Sequence, residues 1–272
     1  MPLLAANGIE IHYTVEGDGP PLILLHGASS SAREDWSAQL PMLRQTHTCY
    51  LVDARGHAGT RWDVADGWGR DLLVEDLRAF ADGLGLASFH LGGFSMGAMT
   101  ALTFASRHPE RVRSALIVAI DTEREPRSRV AKRLMDPERI ERDEPAWAAT
   151  LERRHAPVQG PGAWRGLLRA IAAAVPLEEP LTRADLRRIR LPVLYVVGDR
   201  DIFVPLEHAV AIVRALPDAR LLVVPGTGHV PQVEQAGIVN PAIAAFLRTT
   251  LARGAGGVPL QPTDEPDATE AP

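Results

Sequence analysis

The sequence predicts an α/β protein, a mainly parallel sheet covered by helices on both faces with a helical insertion in its second half. Three observations predict it. Short apolar runs of strand length recur along the chain, helical patterns lie between most of them, and the stretch from 121 to 182 holds no convincing strand. Apolar runs that do not alternate with polar residues suit strands buried on both faces, as parallel strands are.

In chain order, Asn7-Gly8 is a strong hairpin signal, and Ile9, Ile11, Tyr13 and Val15 alternate after it. Buried-strand runs follow at Leu22–Leu25, Cys49–Val52, Phe89–Leu91, Ala115–Ile120, Val193–Val197 and Leu221–Val224. Helical spacing appears over Asp71–Leu84, over Met96–His108 before Pro109, and over Leu206–Leu216 before Pro217. Between 121 and 182, short helical stretches are punctuated by prolines such as Pro137, Pro145 and Pro161, too much chain for one loop and one helix. The predicted organisation is a core over 1–120 and 183–252, a helical cap over 121–182, and a tail over 253–272 rich in Gly, Pro and acid and expected to be disordered.

The 272 residues, 46% of them hydrophobic, suffice for one large core with an insertion. The net charge of −5 and the lack of a basic run argue against nucleic acid as a partner. No apolar run reaches membrane-spanning length and the start lacks a leader pattern, so no membrane partner and a cytoplasmic location are expected. Cys49 is the single cysteine; it excludes an intrachain disulfide and reads as a buried strand residue. Arg and Glu are dense over 121–182, and their interspersion reads as a salt-bridged solvated face.

The central chemical signal is Gly93-Phe94-Ser95-Met96-Gly97, directly after one strand and before a helix. A nucleophile on so sharp a turn needs small neighbours, and the following helix directs its free N–H groups at developing negative charge. Ser95 needs a base. His229, in Pro225-Gly226-Thr227-Gly228-His229 after the last strand, can reach the same sheet edge. The base needs a carboxylate, for which Asp199 and Asp201 after one strand and Asp121 after another all qualify; the order Ser, Asp, His suits this kind of fold. Backbone N–H groups of Ala28, in His26-Gly27-Ala28-Ser29, and of Met96 would form an oxyanion hole. His26, Asp53, Arg55 and His57 are read as loop-holding residues.

With these motifs in place the chain resembles the α/β-hydrolase family, in its capped serine esterase and lactonase branch. The likeness rests on the His26-Gly27 turn, Asp53-Ala54-Arg55-Gly56-His57, Gly93–Gly97, Gly198-Asp199-Arg200-Asp201 and Gly228-His229, and runs from about Ile9 to Leu247. It implies an eight-stranded sheet, a cap after the sixth strand, and the second aspartate of the Gly-Asp-x-Asp motif as the acid, which selects Asp201. Ala58 and Ala98 stand where the family often has Gly, and Ala28-Ser29-Ser30-Ser31 replaces the Gly-rich loop of many carbon–carbon hydrolases. The expected activity is hydrolysis of a small-molecule carboxylic ester through an acyl-enzyme, with neither metal nor cofactor. A lactonase or carbon–carbon hydrolase with the same triad, and a ligand receptor with vestigial hydrolysis, are the alternatives. Serine as nucleophile argues against the dehalogenase and epoxide-hydrolase chemistry that uses aspartate there. Trp147, His155 and Trp164 are the candidates to line the substrate pocket.

Overall fold

A computed structural model describes residues 2–254. Eight strands form one sheet: β1 (Leu3–Ala6), β2 (Ile9–Glu16), β3 (Pro21–Leu25), β4 (Thr48–Val52), β5 (Phe89–Phe94), β6 (Val112–Val118), β7 (Val193–Gly198) and β8 (Ala219–Val224). Their spatial order is β1-β2-β4-β3-β5-β6-β7-β8. The β1–β2 and β2–β4 pairs are antiparallel and the other pairs parallel. Asn7 (φ 48°) and Gly8 (φ 79°) both take the left-handed conformation that a two-residue hairpin turn between twisted strands requires.

The period-two geometry of β3 divides its apolar run between two cores. Ile23 and Leu25 pack with residues of α1 (Arg70–Gly83) and α2 (Met96–Arg107), including Val74, Phe80 and Leu102. Leu22 and Leu24 face the other way, against Trp36, Leu40, Ile243 and Phe246. Helices on both faces thus explain why this run is continuously apolar. The run expected through Ile120 stops at Val118 because Ala119 turns to φ 52°, out of extended geometry.

Between β6 and β7 the chain is helical: α3 (Arg124–Leu134), α4 (Pro137–Asp143), α5 (Pro145–Gln159), α6 (Trp164–Ala174) and α7 (Arg183–Arg188). Each proline at 137 and 145 stands at the first turn of its helix, where its missing N–H costs nothing. Met135, Ile140, Leu151, Trp164, Leu167 and Ile171 form a third apolar cluster. Beyond β7 come α8 (Leu206–Ala215) and α9 (Ala236–Gly254). The tail expected from 253 is corrected at its start, since Arg253 and Gly254 close α9; residues 255–272 lie outside the described residues. No helix among the described residues is long and apolar enough to cross a membrane.

After β3 the chain crosses to β4 on one side, then to β5 on the other, so the carboxyl ends of β3 and β5 flank a point where strand order reverses. Such points form crevices for ligands.

Candidate active site

Ser95 occupies the turn between β5 and α2 with φ 51° and ψ −112°. A non-glycine residue held there costs roughly 1–3 kcal/mol and persists only when its surroundings fix it. Here they do. The Ser95 N–H donates to the Val118 carbonyl at 2.9 Å, and that of Gly97 to the His26 carbonyl at 3.0 Å. A Cβ on Gly93 would lie 2.3 Å from the Gly97 carbonyl oxygen, and one on Gly97 2.7 Å from that of His26. The glycines let strand, turn and helix approach this closely.

The His229 Nε2 lies 3.1 Å from Ser95 Oγ, and its Nδ1 2.8 Å from Asp201 Oδ2. The second Asp201 oxygen accepts the N–H groups of Phe203 (2.8 Å) and Val204 (3.3 Å), which fixes the carboxylate's orientation. Its side chain is wholly buried. The rings of Phe94 and Phe203 stand 5.3 and 5.0 Å from the imidazole and confine it. With Nδ1–H donating to a carboxylate, Nε2 is left to accept the Ser95 hydroxyl proton.

Of the three aspartates the sequence leaves open, only Asp201 bonds His229. Asp199 Oδ1 instead accepts from Gly226 (2.7 Å) and Thr227 (3.2 Å), pinning the loop that carries His229. A Cβ on Gly198 would meet the Gly228 carbonyl oxygen at 2.2 Å, so these two loops also touch backbone to backbone. Asp121 Oδ2 pairs with His208 Nδ1 at 2.7 Å, which holds that imidazole's pKa above its ordinary value.

The Ala28 and Met96 N–H groups, from the β3 and β5 turns, have no acceptor among the described residues. The loop bearing Ala28 is held from beneath. Asp35 accepts the Gly27 N–H (2.8 Å), His26 accepts that of Ala54 (2.9 Å), and His57 accepts that of Ser29 (3.1 Å). Burial holds His57 neutral, its pKa well below the ordinary value, as an acceptor there must be. Asp53 accepts from Ala32 (3.1 Å) and Gly59 (3.2 Å), and Arg55 grips Asp76 through two bonds of 2.7 and 2.6 Å. His26, Asp53, Arg55 and His57 hold loops, as expected; Asp35 joins them.

A cavity of about 290 Å³ opens on Ser95 and His229. Trp147 lines it. The expectation for the other two pocket residues is corrected. Trp164 is 2% exposed in the apolar cluster of α4–α6 and gives its indole N–H to Glu152 at 2.9 Å. His155 is fully buried between layers: its Nδ1 accepts the Ala58 N–H at 3.0 Å, its Nε2 faces the Ser29 carbonyl at 3.3 Å, and burial pushes its pKa down to about 4. Neighbouring α5 side chains join the same loops: Arg154 bonds the Ser29 carbonyl, and Gln159 the Thr60 carbonyl at 2.5 Å.

Sequence reasoning misses Trp68, Arg70, Arg127, Glu178 and Phe203, all of which line the cavity. Several charged residues of the helical layer form exposed pairs, such as Arg165–Glu141 and Arg169–Glu138. The Arg127–Glu178 pair is buried, and nothing in the sequence sets Arg127 apart from its neighbours. No cluster of three or more His, Cys, Asp or Glu among the described residues is arranged to hold a metal.

Comparison with known proteins gives three findings. A model of the alpha/beta hydrolase family matches residues 22–242. Among curated relatives, the chain is 28% identical over 250 residues to the dihydrolipoyllysine-residue acetyltransferase component of the acetoin cleaving system of Pseudomonas putida, spanning 85% of this chain but only 64% of that protein. It is 27% identical over 270 residues to the 2-hydroxy-6-oxo-6-phenylhexa-2,4-dienoate hydrolase of Burkholderia cepacia, covering 89% of this chain and 92% of the relative. Among solved structures, a thermophilic esterase from Thermogutta terrifontis superposes with a TM-score of 0.71 at 25% identity, covering 91% of this chain and 97% of the esterase.

Proposed function

Because the chain belongs to the alpha/beta hydrolase family and is a hydrolase, we propose that its reaction is cleavage of small-molecule carboxylic esters by Ser95, His229 and Asp201. The observation that carries this reading is the continuous relay from hydroxyl to imidazole to buried carboxylate, with contacts of 3.1 and 2.8 Å.

In the proposed mechanism His229 Nε2 takes the Ser95 proton as Oγ attacks the ester carbonyl. The Ala28 and Met96 N–H groups receive the oxyanion; one such donor is worth roughly 3–4 kcal/mol in the transition state. The imidazolium is stabilised by Asp201 and hands its proton to the departing alcohol, leaving Ser95 acylated. Water attacks the acyl carbonyl as His229 takes its proton. Collapse of the second tetrahedral intermediate releases the acid and returns the proton to Ser95. The helices over the cavity act as a cap. A cavity of about 290 Å³ is at the small end for ligand sites, which are typically some 300 Å³ or more. Short to medium acyl chains are therefore the expected substrates. A cytoplasmic setting suits a chain whose lone cysteine is a buried free thiol.

Hydrolysis of a carbon–carbon bond is the second reading, favoured by the likeness to the dienoate hydrolase. A chain-length series of 4-nitrophenyl esters, run beside lactones and vinylogous diketones on wild type and Ser95→Ala, tests both. Faster turnover of short esters, lost in the variant, is expected. Undiminished turnover in Ser95→Ala would remove Ser95 from the mechanism. Turnover well below about one per minute on every ester, with tight ligand binding, would instead mark a receptor.

A further inference from the structure

The cavity that opens on Ser95 also has Trp68, Arg70, Arg127 and Glu178 in its wall. Arg70 and the Arg127 side chain are each only 9% exposed. Arg139, Glu144 and Asp121 also line the cavity, and in this part of the wall the two arginines have one acidic side chain beside them, Glu178. Arg127 pairs with Glu178, whose other oxygen accepts the backbone N–H of Arg70 at 2.9 Å. The Arg70 guanidinium has a carbonyl, that of Glu179, as its acceptor at 2.6 Å. Nearby charges are engaged elsewhere: Asp71 with Arg107, Glu179 with Arg124, Asp121 with His208 and Glu144 with Arg139. Two guanidinium groups therefore stand beside one carboxylate, a local surplus of positive charge in the cavity wall.

The hydrogen bonds are short by the same measure. Trp68 Nε1, Arg70 Nε and Arg127 Nη1 are buried with no acceptor among the described residues. A buried donor left unpaired is costly, and on a charged group more so. Burial also pushes the Arg70 pKa below its ordinary value; Glu178 opposes this and Arg127 adds to it. A planar monoanion would suit the local surplus of positive charge, and a guanidinium fork matches carboxylate geometry. Leu73, Met99 and Ile120 also line the cavity and offer apolar surface suited to a methylene chain.

We infer that Arg70, Arg127 and Trp68 form a carboxylate-binding subsite in the Ser95 cavity, so that the preferred substrate is an ester carrying a free carboxylate, such as a half-ester of a dicarboxylic acid. The reaction named here rests on the proposed ester hydrolysis; the binding of a carboxylate does not. An Arg127–Glu178 pair serving only to tie α3 to the chain after α6 would stabilise the fold without affecting ligand charge preference.

The test pairs the 4-nitrophenyl monoester of adipic acid with its neutral counterpart, in which the free carboxylate is methylated. Wild type should favour the anionic ester by at least about tenfold in kcat/KM, mainly through KM. In Arg127→Met and Arg70→Met this ratio should collapse toward one, and Arg127→Lys should restore part of it. Arg70→Gln replaces either variant that melts far below wild type. A wild-type ratio near one, or one that survives both substitutions, overturns the subsite while leaving ester hydrolysis standing. If neither ester is cleaved, the reaction is wrong, and calorimetry decides the subsite. Monomethyl adipate should bind Ser95→Ala and bind at least about tenfold more weakly when Arg127→Met is added. Equal binding to both, or to neither, overturns the proposal.

Discussion

The sheet edge and the helical layer above it hold their side chains by different means. At the edge, Ser95, Asp201 and His229 sit on turns clamped by backbone contacts that admit only glycine at 93, 97 and 198. In the layer, position depends on side-chain packing around Trp164 and on ion pairs, most of them exposed and so individually weak. The relay of Ser95, His229 and Asp201 is thus fixed within the edge itself, whereas the loop bearing Ala28 is also tied to the layer through α5.

The largest expected effects lie at the edge. Ser95→Ala should lower kcat on a short nitrophenyl ester by about 10⁴-fold or more with the melting profile retained. Asp201→Asn should cost about 10⁴-fold through loss of the correct imidazole tautomer, whereas Asp199→Asn, which only loosens the His229 loop, should cost about tenfold or less. Equal losses in the two asparagine variants would erase the distinction drawn between these carboxylates.

In the layer the effects should fall on stability. Trp164→Ala should lower unfolding free energy by about 3–5 kcal/mol in urea titrations, the usual range for a buried aromatic. Trp147→Ala, which lines the cavity, should chiefly shift KM for longer acyl groups. The reverse pattern would break the division between packing and lining residues.

The smallest effect concerns pH. His90 within the sheet and His155 beneath the layer are both pushed down to about 4, chiefly by burial. In the unfolded chain each titrates near about 6.5, so the unfolded state binds more protons between those values. Their contribution is intact above about pH 6.5 and is lost as pH falls toward about 4. The urea midpoint should already decline between about pH 6.5 and 5, above most carboxylate titration. A flat midpoint over that interval would mean these imidazoles are not buried and neutral.

The same division explains what was legible in the sequence. Strand runs, the Asn7-Gly8 turn and the glycines around Ser95 announce themselves because backbone geometry restricts the residue types allowed. The choice of Asp201 over Asp199 was not visible from periodicity, since both follow β7; it came from resemblance and from which loop each carboxylate faces. His155 and Trp164 look like pocket residues in sequence because aromatic and imidazole groups serve packing and binding equally, and only tertiary neighbours separate the two uses. Arg127 was hidden for the same reason among arginines that face solvent.

The bonds from α5 to the loops after β3 and β4 carry a mechanical consequence. Arg154 and His155 grip the Ser29 carbonyl, and Gln159 the Thr60 carbonyl, one residue beyond Ala28 and on the adjoining loop. This helix is riveted to the floor, so breathing that admits a ligand falls to α3 and α4. Amide exchange should accordingly be slow along α5 and fast along α3; matched rates would mean that the roof lifts as one piece and carries the Ala28 loop with it.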